Sequence, residues 1–376
     1  MSRKLKVGIV SAAWGAHAHL PAWRTLDDVE VVGICTSRRE TAEAAAREHN
    51  VERPYWSVAD MAASDLDIID VGTRPPLRQQ MVMTALAGGK HVYAGVPFAA
   101  DLEHALAMHA AQAKAGLVGV VDAYIQAIPA IMLLKESLAA GTLGEIFAVR
   151  CRFDLPLFSS RWVGVPTYAW FADAANGASA LRNLGGHALH ALVNLFGDIA
   201  EVDGMVDVRL KEWPNDDGSI TRPQTDDTAF ANLKFRSGVI GQLYAAWSAV
   251  EGQGFELEVQ GSLGRMVAKA PPFFPDAFST TLVHAPIGEP RGPSTARTLE
   301  IPERLKRIDR SSAHADEPRV AVFCMARLFR GMVDAIRDGG DPQPSFRQAA
   351  HVQQAAAAVL AASATGARQS LANIAF

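Results

Sequence analysis

Five continuous apolar runs, separated by helix-length segments, fill the first third of the chain, and this alternation restricts the fold more than any other feature. The runs are Lys6–Ser11, Val29–Thr36, Asp67–Thr73, Lys90–Gly95 and Leu117–Ala123. None alternates in and out like a half-exposed strand, so each calls for cover on both faces. The segments between them read as helices. Arg38–His49 is rich in Ala, Glu and Arg. Pro75–Gly89 opens on prolines, which a first helical turn tolerates, and stops at Gly88-Gly89. Asp101–Gly116 opens on an N-cap aspartate and ends on glycine. Strand–helix–strand repetition at this spacing implies right-handed crossovers and a parallel sheet.

The pattern changes near residue 123. A helix from Pro129 to Gly141 precedes a strand over Glu145–Leu155, and an irregular stretch rich in Pro, Ser, Trp and Gly covers Pro156–Gly177. A helix over Ala178–Phe196 is followed by alternating strands near 201–210, 227–235, 239–247, 255–261 and 264–270. Residues 270–318 read as a long loop, and helices over Arg319–Asp338 and Ser345–Ala364 close the chain. The expected fold class is α/β. An N-terminal Rossmann domain with a doubly wound parallel sheet spans 1–122. A C-terminal α+β domain with a large, mainly antiparallel open sheet spans 123–376, and its last helices are candidates to pack back on the first domain.

Composition narrows the function classes. With 36 basic and 40 acidic side chains the net charge is −4, which gives no field for a polyanion, so nucleic acid is not an expected partner. Cys35, Cys151 and Cys324 are odd in number and far apart, and read as buried hydrophobes of a reducing compartment. The N-terminal apolar run lacks the longer core and small-residue cleavage site of a signal peptide, and no segment reaches 18 apolar residues. The expectation is a cytoplasmic protein with no membrane partner.

The turn after the first strand, Ser11-Ala12-Ala13-Trp14-Gly15, lies where a dinucleotide fold needs small residues. They allow a tight turn, close backbone approach to a pyrophosphate and close helix–strand packing. Ser11, Ala13 and Gly15 stand where three glycines are ideal. A plain strand-to-helix turn with no ligand is the alternative. After the second strand, Thr36-Ser37-Arg38-Arg39 holds no acid before Glu40. An acid there would grip a ribose 2′-hydroxyl, whereas Ser37 and the arginines suit a 2′-phosphate, so NADP(H) is preferred and NAD(H) remains possible. Alternatively Ser37 caps the helix and the arginines are solvated. His17 and His19, beside the turn, read as surface or phosphate-adjacent packing.

Together the stretches GIVSAAWGAHAHLPAW, VEVVGICTSRRETAEAAA, DIIDVGTRPPLRQQMVMTALAGGKHVYAGVP, GEIFAVRCRF, LRNLGGHALHAL and DDTAFANLKFRSGVIGQLYAAWSA resemble the Gfo/Idh/MocA oxidoreductases in order and spacing. The resemblance covers nearly the whole chain. It implies a Rossmann domain, a second domain whose open sheet packs against another subunit as a homodimer or homotetramer, and hydride transfer between nicotinamide and a sugar, polyol or related small molecule. It assigns Trp14, Thr73, Pro75, Gly95 and Pro97 to the cofactor side. It also exposes departures. The family's Glu-Lys-Pro falls on Gly95, Val96 and Pro97, so the lysine that assists proton transfer is absent. The family's aspartate falls on Asn183, its histidine on His187, and a later frequent aspartate on His190. Arg74 replaces the proline of a threonine–proline turn.

Oxidation of an alcohol needs a base near working pH within hydrogen-bond reach of the hydroxyl. His187 is the matched residue that meets this need, with Asn183 as a ring-orienting neighbour and Tyr124 as a second donor. Arg182, His190 and Trp170 are substrate-side candidates. A core or helix-cap histidine with a satisfied ring is the alternative for His187, and for His190 it is the favoured one. The aromatic group Arg161–Phe171 is a candidate lid, with plain packing as the alternative. No Cys/His/Asp cluster has ligand spacing, so no metal is expected. Three functions follow: an NAD(P)-dependent oxidoreductase with His187 as proton carrier; a non-catalytic nucleotide- or sugar-binding regulator; and a nicotinamide-assisted lyase or glycosidase with transient oxidation.

Overall fold

The first apolar run becomes strand β1 (Leu5–Val10), flanked by β2 (Val29–Cys35) and β4 (Ile68–Val71) in parallel registers Leu5↔Val29 and Val7↔Ile68. With β3 (Arg53–Tyr55), β5 (His91–Ala94) and β6 (Gly119–Val121) the sheet has the order β3-β2-β1-β4-β5-β6, all parallel. The structure, a computed structural model, describes residues 3–159, 166–215, 217–271, 273–289, 293–319 and 321–374. They form two units. The first takes the chain up to Tyr124 and then Lys306–Ala350; the second takes Ile125–Leu305 and His351–Ile374. The division thus falls two residues beyond 122, and a late segment belongs with the first unit.

Local chemistry explains the helices of the first unit. A π-helical turn, Gly15–His19, runs into α1 (Leu20–Trp23), and α2 (Arg39–Glu48) and α3 (Val58–Ala63) follow. Ser57 caps α3 by accepting the Asp60 N–H. Helix α4 (Pro75–Ala87) has its prolines in the first turn, where their missing N–H groups leave no intrahelical bond unmade. Helix α5 (Leu102–Ala115) is capped by Asp101, which accepts the His104 N–H at 2.8 Å. It ends at Gly116 with φ 63°, a left-handed conformation that costs a glycine little. β3 is the one strand of this sheet outside the five apolar runs, because its Arg-Pro-Tyr sequence carries no strand pattern.

The second unit is built on α6 (Pro129–Ala139), β7 (Ile146–Asp154), a π-helical turn at Leu181–Gly185, α7 (Gly186–Phe196) and β8 (Ile199–Asp207). A small hairpin, β9 (Trp213–Pro214) with β10 (Ile220–Thr221), precedes β11 (Thr228–Phe235), β12 (Ile240–Ala246), β13 (Gly254–Gly261) and β14 (Gly264–Lys269). Strands β15 (Thr281–Pro286) and β16 (Arg297–Thr298) and the turn α8 (Glu303–Lys306) occupy the region expected to be loop. Short and flanked by Pro and Ser, they gain their ladder only by pairing, β14 with β15 at Gly264↔Pro286 and β15 with β16 at Val283↔Thr298. After α9 (Val322–Asp338) and α10 (Phe346–Thr365), β17 (Gln369–Ser370) completes a nine-stranded sheet of order β16-β15-β14-β13-β7-β12-β11-β8-β17. Every pair in it is antiparallel except β7 with β12. Strand β11 shows the logic: Ala229, Ala231, Leu233 and Phe235 are buried while Phe230, Asn232 and Lys234 face out.

The late segment is held in the first unit by specific contacts. Ser345 bridges Val120, and the Val121 N–H donates to the Pro344 carbonyl at 2.9 Å, which covers the edge of β6. Arg330 on α9 pairs with buried Asp28 at 2.7 Å, and Phe329 stacks on Trp23 with centroids 3.7 Å apart.

Beneath the carboxyl ends of these strands lies a buried polar cluster. Asp70 interrupts the apolar strand β4 and Asp122 follows β6, and both are out of water. His19 sits between them, fully buried, with Nδ1 2.9 Å and 3.0 Å from the two Asp70 oxygens and Nε2 3.3 Å from Asp122 Oδ2. Trp23 Nε1 donates to Asp70 at 2.8 Å and Tyr93 Oη to Asp122 at 2.9 Å. Burial opposes charge on His19, but Asp70 and Asp122 outweigh it and hold the imidazolium to about pH 10. The surface role expected for His19 is therefore wrong: two carboxylates require it inside, and only His17 is exposed. Because the folded pKa lies above the unfolded value near 6.5, this stabilisation is complete below about pH 6.5 and lost as pH rises through about 10. His19→Gln should cost about 3–5 kcal/mol at neutral pH by leaving buried carboxylates without their cation. Denaturation midpoints of both proteins between pH 6 and 11 test this. The wild type should lose its advantage above pH 10, and a constant difference across the range would refute the assignment.

Candidate functional site

In the first unit, every residue assigned to the cofactor side lies on one edge of the sheet. Ser11, Ala13, Trp14 and Gly15 follow β1; Ser37 and Arg38 follow β2; Thr73 and Pro75 follow β4; Gly95 and Pro97 follow β5. In open parallel sheets the crevice outside the carboxyl ends, where strand order reverses, is where ligands bind. Here the reversal falls between β1 and β4, beside the Ser11–Gly15 turn.

The turn fits a dinucleotide. A Cβ added to Gly15 would lie 3.0 Å from both Ile9 Cγ2 and Ser11 Cβ, and one added to Gly72 would lie 3.5 Å from Gly15 Cα. Gly15 thus performs the close-packing role of a third glycine, and Ser11 and Ala13 put small side chains at the other two positions. Ser11 Oγ accepts the Ala13 N–H at 3.2 Å. Trp14 is half exposed, and its indole N–H donates to Asp122 Oδ2 at 3.3 Å, which ties the turn to the buried cluster. After β2, Ser37 and Arg38 are exposed, and Arg38 holds the N-cap position of α2 without a side-chain cap bond. Arg39 lies over the half-exposed Trp56 ring, its Cζ 5.4 Å from the centroid.

The loop after β5 carries no proton-transferring side chain. Val96 packs against the apolar core of this unit instead. Arg78, on the first turn of α4, was missed by pattern reading. It is buried, and its guanidinium donates to the carbonyls of Thr73, Gly95, Pro97 and Phe98. Burial lowers its pKa against the pull of Asp122 and Asp70. Asp70 could have been found from sequence, since a charge inside a doubly covered strand must be paired. Arg78 gave no such signal among the exposed polar residues of its helix.

In the second unit, Arg182 and Asn183 lie on the π-helical turn and His187 and His190 on α7. His187 is buried, with Phe274 edge-on at 6.5 Å. His190 is 2% exposed, and burial, with His187 and His351 adding to it, lowers its pKa to about 3. A neutral imidazole enclosed in this way belongs to the helix packing, the alternative favoured for His190, and not to the substrate side. Asp226, also missed, accepts the Leu181 N–H at 3.0 Å, and burial raises its pKa against the Leu181 N–H, Ser179 and Arg182. Tyr124 ends the first unit and is 3% exposed, so it is a packed ring rather than an open donor. Trp170 is half-buried 4.3 Å from Phe171, which stacks on Trp247 at 5.1 Å. Phe171 is therefore core. Residues 161–165 of the candidate lid lie outside the described residues.

All three cysteines are buried. Among the described residues no three His, Cys, Asp or Glu side chains are grouped as metal ligands, and no helix is long and apolar enough to cross a membrane.

Comparison with known proteins agrees with this architecture. Residues 5–123 match the family described as "Oxidoreductase family, NAD-binding Rossmann fold", and residues 131–267 match "GFO/IDH/MocA C-terminal domain". An oxidoreductase of Synechocystis sp. is 24% identical over 355 residues, 94% of this chain and 92% of that protein. A D-apiose dehydrogenase of Paraburkholderia graminis is 31% identical over 205 residues, 53% of this chain and 52% of that protein. Levoglucosan dehydrogenase in complex with NADH has the same fold, with a TM-score of 0.87 at 19% identity over 99% of this chain and 100% of that one. Matched in both domains and in order, this chain belongs to the Gfo/Idh/MocA family of NAD-binding oxidoreductases.

Proposed function

We propose that the protein is an NAD(P)-dependent oxidoreductase of a sugar, cyclitol or related small alcohol or carbonyl, that it prefers NADP(H), and that His187 is its proton carrier. The observation that carries the reading is the single sheet edge formed by the Ser11–Gly15 turn, Ser37, Arg38, Thr73 and Gly95. The nicotinamide, when bound, supplies the hydride acceptor or donor. The chain's own residues hold the pyrophosphate against the small-residue turn, and Ser37 and Arg38 meet a 2′-phosphate by charge-assisted bonds. His187 takes the hydroxyl proton during oxidation and returns it during reduction, with Asn183 orienting the ring and Arg182 contacting a substrate oxygen. The loss of the family lysine to Val96 and of its aspartate to Asn183 favours a second reading, a non-catalytic binder of nucleotide or sugar.

Titration of the purified protein with NADPH and NADH, followed by tryptophan quenching, should give micromolar binding with NADPH the tighter. Arg38→Ala should weaken NADPH about tenfold or more and NADH little. Equal effects on both would refute the 2′-phosphate role. Absence of binding up to millimolar, in protein shown free of co-purified cofactor, would leave only the binder of another ligand.

Once a substrate is found, His187→Ala should lower kcat about 10²–10⁴-fold and remove the lower limb of the pH profile. A profile with its limb intact would exclude His187 as the proton carrier.

The outward face of the nine-stranded sheet supports the proposal of a homodimer or homotetramer. One cross-strand row on it runs Met205, Phe230, Tyr244, Arg152, Glu256, Lys269. It joins an apolar corner to charges of both signs, and a face with both signs complements a second copy of itself across a twofold axis. Light scattering behind size exclusion should give twice or four times the chain mass, and Phe230→Glu should lower it. A wild-type monomer would refute the assembly.

A further inference from the structure

Gly95 and Arg78 explain each other. A Cβ at residue 95 would lie 2.7 Å from Arg78 Nη2 and 3.3 Å from its Cζ, so the guanidinium occupies the space that any side chain at 95 would enter. The matched family position is glutamate, and the next, Val96 here, is lysine. This chain has lost both ionic side chains from the loop after β5 and has placed one buried cation beneath it.

The contacts of that cation span two loops. Nη1 donates to the Gly95 carbonyl at 3.0 Å, to the Phe98 carbonyl at 3.2 Å and to the Pro97 carbonyl, and Nη2 donates to the Thr73 carbonyl. Thr73 belongs to the loop leaving β4, and Gly95, Pro97 and Phe98 to the loop leaving β5. A planar fork with fixed donors holds several carbonyls in one geometry, which a lysine point charge does not. In this strand order the two mononucleotide halves lie on either side of the β1–β4 switch, so the β4 and β5 loops serve the nicotinamide half.

We propose that Arg78 is the positioning residue of the nicotinamide half-site, a buried guanidinium that clamps the loops after β4 and β5 into one rigid floor in place of the glutamate–lysine pair this chain lacks. The inference rests on the dinucleotide reading of this sheet edge. Arg78 touches neither hydride nor proton; it acts through the carbonyls it holds.

The test compares the full dinucleotide with a ligand that lacks the nicotinamide. Binding of NADPH and of 2′-phospho-ADP-ribose, or of NADH and ADP-ribose if NADH proves tighter, is measured for wild type, Arg78→Met, Arg78→Lys and Gly95→Ala. The dinucleotide should weaken roughly 10–100-fold in Arg78→Met while the truncated ligand changes less than about threefold, because only the nicotinamide floor is disturbed. Arg78→Lys should not rescue it. Gly95→Ala leaves the charge in place and pushes on the guanidinium, and should reproduce the selective loss even if Arg78→Met fails to fold. Equal weakening of both ligands, or no weakening of either, overturns the clamp. If wild type binds the truncated ligand but gains nothing from the nicotinamide half, the clamp is refuted and the nucleotide site stands. If wild type binds neither, the dinucleotide reading fails and the clamp falls with it.

Discussion

Two carboxylates out of water set the terms for the nucleotide-binding unit. Asp70 within β4 and Asp122 after β6 would each cost several kcal/mol if left unpaired in a low-dielectric interior. His19 answers both with its two ring nitrogens, and Trp23, Tyr93 and Trp14 donate to lone pairs that remain. These donors come from the turn and helix after β1 and from β5. The cluster therefore ties the carboxyl ends of β1, β4, β5 and β6 together at the edge that carries the candidate cofactor residues. The Ser11–Gly15 turn is positioned by this ion cluster as well as by its own backbone.

The loop after β5 carries no ionic side chain at Gly95 or Val96. Val96 packs against the apolar core, so this position offers no proton carrier. Arg78 gathers the loop's carbonyls and the Thr73 carbonyl around one guanidinium, and Gly95 leaves room for it. The roles proposed for Arg78 and His187 would separate cofactor geometry from proton handling, the first resting on a buried cation and the second on the helix that carries His187.

Much of the architecture was legible from local chemistry. The continuous apolar runs of β1, β2, β4 and β5 implied a covered parallel sheet, and Asp101, Gly116 and the Pro75-Pro76 pair marked helix ends at their observed places. What escaped were elements whose stability is not local. Strand β3 has no apolar pattern, and β15 exists through its ladder with β14. The return of Lys306–Ala350 to the first unit depends on Arg330 meeting Asp28 and Ser345 meeting Val120, and no periodicity records such partners. Within the candidate site, the small residues of the turn and the acid-free Ser37–Arg39 run were readable, because their chemistry depends on residue type and strand end alone.

The distinction between His17 and His19 marks the boundary. Sequence alone determined the doubly wound sheet, the strand ends that carry the candidate cofactor residues, and the absence of lysine at Val96, because these follow from period, punctuation and identity. Only the tertiary structure decided that His19 is an internal cation between two aspartates, that His190 is an enclosed neutral ring, and that Arg78 lies under the loop at Gly95. A charged side chain is assigned to the interior or the surface by the partners that distant strands bring to it, and that balance of desolvation against pairing exists only once the chain has folded.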